Sequence, residues 1–281
     1  MATVVFFHAH PDDEAIATGG TMASLADGGH RVVLVTATAG ELGEAPDGLL
    51  DDGESLVDRR GKELAEACRI LGVERHVGLG FRDSGMAGEE TNRDPAAFAA
   101  TDTEQAAHLL ADLLVEEGAH VLVIYDEHGV YDHPDHIKVH EVGRRASDLA
   151  GTAVLYLATL DRDRVVALAS ASDRQLAESP HELDTMGVPG WRITTEVDVR
   201  PWIDRKRAAM AAHASQIAPD SFFLDMPPEV FSEVWGLEAY IRVRPEPARD
   251  VPTGRETSLV LAAGGPGADA DSAEQVAERG S

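Results

Sequence analysis

Five short apolar runs alternate with segments of helical composition through roughly the first 160 residues, and no other feature of the chain restricts its fold so strongly. Thr3-Val4-Val5-Phe6-Phe7 leads into a polar turn, then a stretch of small and apolar residues from Glu14 to Asp27, the stop signal Gly28-Gly29 and a second run at Arg31–Thr36. Further runs lie near His76–Leu79, at His120–Tyr125 and at Ala153–Ala158, separated by helical segments over Ser55–Leu71, Glu104–Glu117 and Asp135–Leu149. Apolar runs of this length read as strands buried on both faces, and strand–helix alternation implies parallel strands joined by right-handed crossovers. The chain is therefore expected to be α/β, a Rossmann-like three-layer sandwich on a mostly parallel sheet, with its active site at the carboxyl ends of the strands. Beyond Thr159 the pattern blurs: Trp191–Val199 reads as a strand, Pro201–Ala212 as a helix, and Trp235–Val243 as a final strand at a sheet edge. One domain is expected over residues 1–245, followed by a tail, 246–281, whose Pro, Gly, Ala and acidic content reads as largely disordered.

Charge removes several functions. With 24 Lys+Arg against 50 Asp+Glu the formal charge is −26, and no basic patch stands out, so nucleic acid is excluded as a partner. No apolar run approaches the length of a membrane span, and the N-terminus lacks the basic and apolar regions of a signal peptide, so a cytoplasmic protein without membrane insertion is expected. The single cysteine, Cys68, falls in a helical segment and reads as packing. Neither a Gly-x-Gly-x-x-Gly turn, a phosphate-binding Gly-Lys-Ser/Thr loop nor a Gly-x-Ser-x-Gly elbow is present.

Chemistry concentrates in two clusters at the ends of different strands. His10-Pro11-Asp12-Asp13-Glu14 follows the first run, and His133-Pro134-Asp135-His136 follows the run ending at Tyr125. A single His-Asp pair in a loop is commonly a cap or a surface ion pair, but two with the same His-Pro-Asp core point to one site. A catalytic zinc takes three imidazole or carboxylate ligands and leaves a fourth position open. His10 and Asp13, three apart across a turn, can face one centre, and His136 can supply the third ligand. Asp12 diverges from its neighbour Asp13 and is left free as a general base. His133 can face the same pocket as an oxyanion donor or acid, with Asp135 orienting its ring and raising its pKa and Tyr131 as a second donor. His8 is either a support for this group or simply packed. His140, one turn after His136, reads as lying on the same helix face, and His30, His76, His108, His120, His128 and His181 belong to no constellation.

These motifs resemble the LmbE-like, or PIG-L, family of zinc-dependent N-deacetylases, and the mycothiol-type deacetylase and amidase branch is the most similar. The resemblance runs from about Thr3 to about Ile217. It includes Arg60-Gly61-Lys62-Glu63-Leu64, the stretch Gly80-Phe81-Arg82-Asp83-Ser84-Gly85-Met86 and His213-Ala214-Ser215-Gln216. It implies zinc on His10, Asp13 and His136, Asp12 as base, His133 as acid or electrostatic partner with Asp135 behind it, and Tyr131 as a mobile oxyanion contact. Arg60 and Asp83 match positions that contact sugar hydroxyls. The implied reaction is removal of an N-acetyl group from an amino sugar or small glycoconjugate. An amidase acting on a larger acyl or mycothiol-type conjugate, and a non-catalytic metal- or carbohydrate-binding module, are the alternatives. Glu41–Asp58 carries seven acids and no base, and with Glu89, Glu90 and Asp94 it is expected to ring the site and disfavour anionic substrates.

Overall fold

The computed structural model describes residues 1–171, 185–246 and 254–260. The strands β1 (Thr3–His8), β2 (Arg31–Thr38), β3 (Arg75–Phe81), β4 (Val121–Tyr125) and β5 (Val154–Thr159) are parallel. With β6 (Thr195–Asp198) and β7 (Leu237–Arg244) they form a seven-stranded sheet in the order β3-β2-β1-β4-β5-β7-β6. Among the described residues the helices are α1 (Gly19–Asp27), α2 (Leu56–Leu71), α3 (Thr103–Glu116), the single turn α4 (Gly129–Asp132), α5 (Pro134–Ala150), α6 (Arg162–Ala171), α7 (Ile203–Ala212) and α8 (Pro228–Trp235).

Successive side chains of a strand point to opposite faces, so the unbroken apolar runs feed two cores. Val4, Phe6, Val32 and Leu34 enter one with Met22 of α1, Leu64 of α2 and Met210 of α7. Val5, Phe7, Val33 and Val35 enter the other with Leu110 of α3 and Val139 of α5. This is the expected three-layer sandwich. β2 and β3 lie to one side of β1, and β4 and β5 to the other, so strand order reverses between β1 and β4. The loops leaving the carboxyl ends of these two strands diverge there and open a crevice. Both His-Pro-Asp clusters are on those two loops.

Caps delimit the helices where the composition predicts. The Ser55 side chain accepts the Asp58 N–H to start α2, and Gly72 ends it in the left-handed conformation at φ 81°. The entry to α1 is less regular. Glu14–Thr18 forms a π-helical turn, and Thr18 at φ −138° interrupts the chain before α1 begins. The freed backbone groups are satisfied by side chains from distant elements. The Glu238 carboxylate of β7 accepts the Gly20 and Thr21 N–H groups, both at 2.9 Å, and Lys206 of α7 donates to the Ile16 carbonyl at 2.8 Å. Lys206 and Glu238 are themselves paired at 2.5 Å and buried.

Close packing of α1 makes one glycine essential for space. A Cβ on Gly20 would lie 2.4 Å from the Val199 Cβ, so Gly20→Ala is expected to destabilise the fold by about 1–3 kcal/mol through overpacking. Thermal unfolding of the variant beside the parent measures this, and an unchanged midpoint would show that α1 can shift away from Val199.

One expectation needs correction. The last strand is not at an edge: β7 runs antiparallel between β5 and β6, and the four-residue β6 is the edge. Order along the chain does not set order across a sheet once strands turn antiparallel, and the eight-residue β7 is long enough to pair on both sides. Helices α6 and α8 were not anticipated. Within the segment expected to be largely disordered, residues 254–260 are described: Glu256 exchanges backbone hydrogen bonds with Thr194 and Glu196, and Leu259 is buried in the first core. The rest of that segment, apart from Glu246, lies outside the described residues.

Candidate metal centre

His10, His133 and His136 meet at the β1/β4 crevice, with ring centroids 4.7, 5.1 and 5.4 Å apart. One nitrogen from each ring lies within 4.8 Å of the other two, which makes these three imidazoles a candidate ligand set. Asp13 bridges two of them, with one carboxylate oxygen 3.4 Å from His10 Nδ1 and the other 3.3 Å from His136 Nε2.

Hydrogen bonding separates the imidazoles by tautomer. His10 donates from Nε2 to Asp135 Oδ2 at 3.2 Å and turns its Nδ1 to Asp13 Oδ2 at 3.4 Å; against the opposing effect of burial, the Asp13, Asp135 and Asp83 carboxylates raise its pKa well above the ordinary value. His133 caps α5: its Nδ1 accepts the Asp135 backbone N–H at 3.1 Å. A neutral His133 must then carry its proton on Nε2, where it can donate but cannot coordinate a cation. Burial, and then the neighbouring His10 and His136, push its pKa down to about 4, so it is neutral. Burial outweighs the Asp135 carboxylate that was expected to raise it. A second group of closely spaced donors, His10, Asp83 and Asp135, shares the same imidazole, and with His133 set aside the donors facing the crevice between β1 and β4 also include Asp13 and His136 Nε2.

Asp135 serves a different ring from the one expected. Its carboxylate meets His10 and Ser84 (the Ser84 N–H at 3.0 Å and the Ser84 hydroxyl) instead of His133. The residue lies in the first turn of α5 with its backbone N–H committed to the capping His133, and its fully buried side chain is directed toward the loop after β3. A carboxylate behind a ligating imidazole fixes its tautomer and raises its basicity.

The donor set fits a divalent transition ion. Asp13, Asp83 and Asp135 are buried, and their ion-pair partners among the described residues are imidazoles alone. His136 Nδ1 is buried without a hydrogen-bond partner, so every polar contact of that ring is on the pocket side. Its face is held by Tyr125, stacked at 4.4 Å and 10°, and the Tyr125 hydroxyl is held by His8 at 2.6 Å. His8, also bonded to Thr18 and lowered to about 4 by burial, is thus a packed neutral support.

Asp12 has the most open carboxylate of the group, 17% exposed, and Arg60 donates to its Oδ2 at 3.2 Å. Burial raises its pKa to about 6 against the pull of Arg60, with Asp13 adding to the rise. That places it near the value a base needs at neutral pH. The Arg60 guanidinium is 4% exposed and also donates to the Pro11 and Gly40 carbonyls and to Gln216 Oε1. It closes the wall behind Asp12. Asp83, 6% exposed, lies 3.6 Å from His10 Nε2 and accepts the Leu42 and Gly85 N–H groups. Tyr131 is half exposed, with its hydroxyl 3.5 Å from His136 Nε2.

Composition gave no signal for two features. Among the described residues, the non-glycine residues with positive φ are Asp12 at 115°, Val130 at 70° and Asp132 at 64°, all in the two loops that carry the clusters. Such conformations cost of order 1–3 kcal/mol each and persist only where the surroundings over-determine them. The second feature is a buried pair, His213 Nε2 to Glu14 Oε1 at 2.6 Å, with both side chains fully buried. Cys68, by contrast, is packing as expected, its thiol pushed up to about 12 chiefly by burial.

Comparison with known proteins agrees with this geometry. A family model described as PIG-L, GlcNAc-PI de-N-acetylase, matches residues 5–147. The 1D-myo-inositol 2-acetamido-2-deoxy-α-D-glucopyranoside deacetylase of Acidothermus cellulolyticus is 41% identical, over 92% of this chain and 94% of its own. Among solved structures, N,N'-diacetylchitobiose deacetylase from Pyrococcus horikoshii is similar at a TM-score of 0.58 and 20% identity, covering 88% of each chain. The 4-carboxy-2-hydroxymuconate hydratase of Pseudomonas putida reaches the same TM-score at 17% identity, over 89% of this chain and all of its own. At those identities the two structures share the fold, and one named a hydratase shows that the fold alone does not decide the reaction. The family model, the full-length relative and the two His-Pro-Asp loops together place the chain in the PIG-L family of de-N-acetylases, as an amide hydrolase.

Proposed function

We propose that the chain is a zinc-dependent hydrolase that removes the N-acetyl group of a small, uncharged amino-sugar conjugate, with an N-acetylglucosaminyl inositol as its first candidate. The 41% identity to a deacetylase named for that substrate, over nine-tenths of the chain, carries the reading. In this reading His10, Asp13 and His136 hold the ion. Bound there, zinc would supply a Lewis acid that polarises the acetyl carbonyl and lowers the pKa of a water to about 7.

The chain's own groups do the rest. Asp12 takes a proton from the attacking water as its oxygen bonds to the carbonyl carbon. His133 donates from Nε2 to the carbonyl oxygen as negative charge develops there, with the Tyr131 hydroxyl as a second donor. Cleavage of the C–N bond returns the proton to the leaving amine and frees acetate. Asp83 is assigned to a sugar hydroxyl, and Arg60, whose guanidinium is buried against Asp12, to the same side of the pocket. Acetate release from N-acetylglucosaminyl inositol by purified, zinc-loaded protein tests the proposal, and the absence of release from this and simpler N-acetylglucosaminides would reject it.

Charge around the site narrows the substrate. The Glu41 carboxylate borders it, accepting the Asp83 N–H at 3.0 Å, and the backbone of a second acidic residue, Glu44, is held beside it where its carbonyl accepts from Gln216, the partner of Arg60. Phosphorylation of the inositol is therefore expected to lower kcat/KM on the order of ten-fold at low ionic strength, and salt should narrow the gap. A phosphorylated substrate cleaved better than its neutral counterpart at low salt would refute this.

A further inference from the structure

The backbone of Asp12 is held at φ 115°, a conformation uncommon in residues other than glycine. Two arms hold it, and both come from one segment, His213–Gln216, just past α7 and outside the residues matched by the family model. The first arm acts on the backbone. Glu14 Oε2 accepts the Asp12 N–H at 2.9 Å while Glu14 Oε1 takes the His213 ring at 2.6 Å. The second acts on the carboxylate. Gln216 Oε1 accepts from Arg60 Nη1 at 3.3 Å, and Arg60 Nη2 meets Asp12 Oδ2 at 3.2 Å and the Pro11 carbonyl at 2.5 Å. The segment is itself fixed, because Glu63 accepts both the Ser215 N–H at 2.9 Å and the Ser215 hydroxyl at 2.6 Å. Gly40 and Gly43 leave room for the Arg60 arm. A Cβ on Gly40 would lie 2.3 Å from the guanidinium carbon, and one on Gly43 would lie 2.4 Å from Gln216 Oε1.

We infer that His213, through Glu14, is a positioning residue for the Asp12 base, and that His213–Gln216 forms a latch setting the direction of its carboxylate. The inference rests on the reading of Asp12 as the base. Neither His213 nor Gln216 lies among the metal donors, so loosening the latch alters the aim of the base and leaves the donor set in place. An ångström of misplacement of a reacting group can cost on the order of 100-fold in rate.

The test compares His213→Ala, His213→Gln and Gln216→Ala, each alone and with Asp12→Asn, by kcat and KM on N-acetylglucosaminyl inositol, zinc content and circular dichroism. His213→Ala is expected to lower kcat by about 10- to 100-fold, with KM within about three-fold and one zinc per chain. His213→Gln, whose amide can replace the ring Nε2 donor, is expected to recover most of that loss. In the Asp12→Asn background the penalty of His213→Ala should shrink to about two-fold or less, because residues acting through one group are not additive. If His213→Ala leaves kcat unchanged, loses zinc in proportion to activity, or costs as much without Asp12 as with it, the positioning role is refuted. If His213→Ala fails to fold, Gln216→Ala decides through the same cycle: an equal penalty in both backgrounds refutes the latch. Failure of the functional reading looks different, since the parent protein itself would then release no acetate.

Discussion

Asp12→Asn is expected to retain one zinc per chain and to lose turnover by about 10²–10⁴-fold. Asparagine preserves size, tolerates positive φ better than most residues and keeps an oxygen for Arg60, so the loop need not move. His10, His136 and the Asp13 carboxylate, proposed as the donors, are untouched. What disappears is the one carboxylate of the site that is both partly open and raised by burial toward neutral pKa. Metal analysis of the purified variant beside kcat and KM for acetate release checks both halves. Full turnover with zinc in place would remove Asp12 from the mechanism.

A second large effect separates the histidines. His136→Ala is expected to purify without metal and to remain inactive when one equivalent of zinc is returned. It deletes a donor, where even loss of a supporting contact costs 10–100-fold in affinity. His133→Ala is expected to keep its zinc and lose about 10²–10³-fold in kcat, the usual cost of removing one oxyanion donor. The contrast follows from the proton on His133 Nε2, which its capping bond to Asp135 requires. Zinc stoichiometry of the two variants measured side by side is decisive, and metal loss from His133→Ala would mean that this imidazole is a ligand.

Local pattern made the framework and the meeting of the two His-Pro-Asp clusters readable in advance. The runs at Thr3–Phe7 and His120–Tyr125 are strands because nothing polar interrupts them, and His-Pro-Asp at both ends marks one centre because β1 and β4 are neighbours. Pairings across long stretches of chain left no such trace. Asp135 stands two residues after His133, yet the capping geometry of α5 commits it to His10 and Ser84. The Glu14–His213 bond joins residues 199 apart, and the positive φ at Asp12 and Val130 is set by the surrounding contacts, not by residue preference. The inner position of β7 and the docking of Leu259 are likewise tertiary outcomes.

The carboxylate that completes the start of α1 has a consequence for how the protein is made. Glu238 leaves the ribosome more than 200 residues after Gly20 and Thr21, the two N–H groups it accepts. At translation speeds of about 5–20 residues per second, the N-terminal segment waits roughly 10–40 s for this partner. During that interval both cores can begin to assemble on the first strands, but the helix behind the His10–Asp13 loop is unfinished. The newborn chain is therefore expected to acquire its catalytic geometry as one of its last folding events.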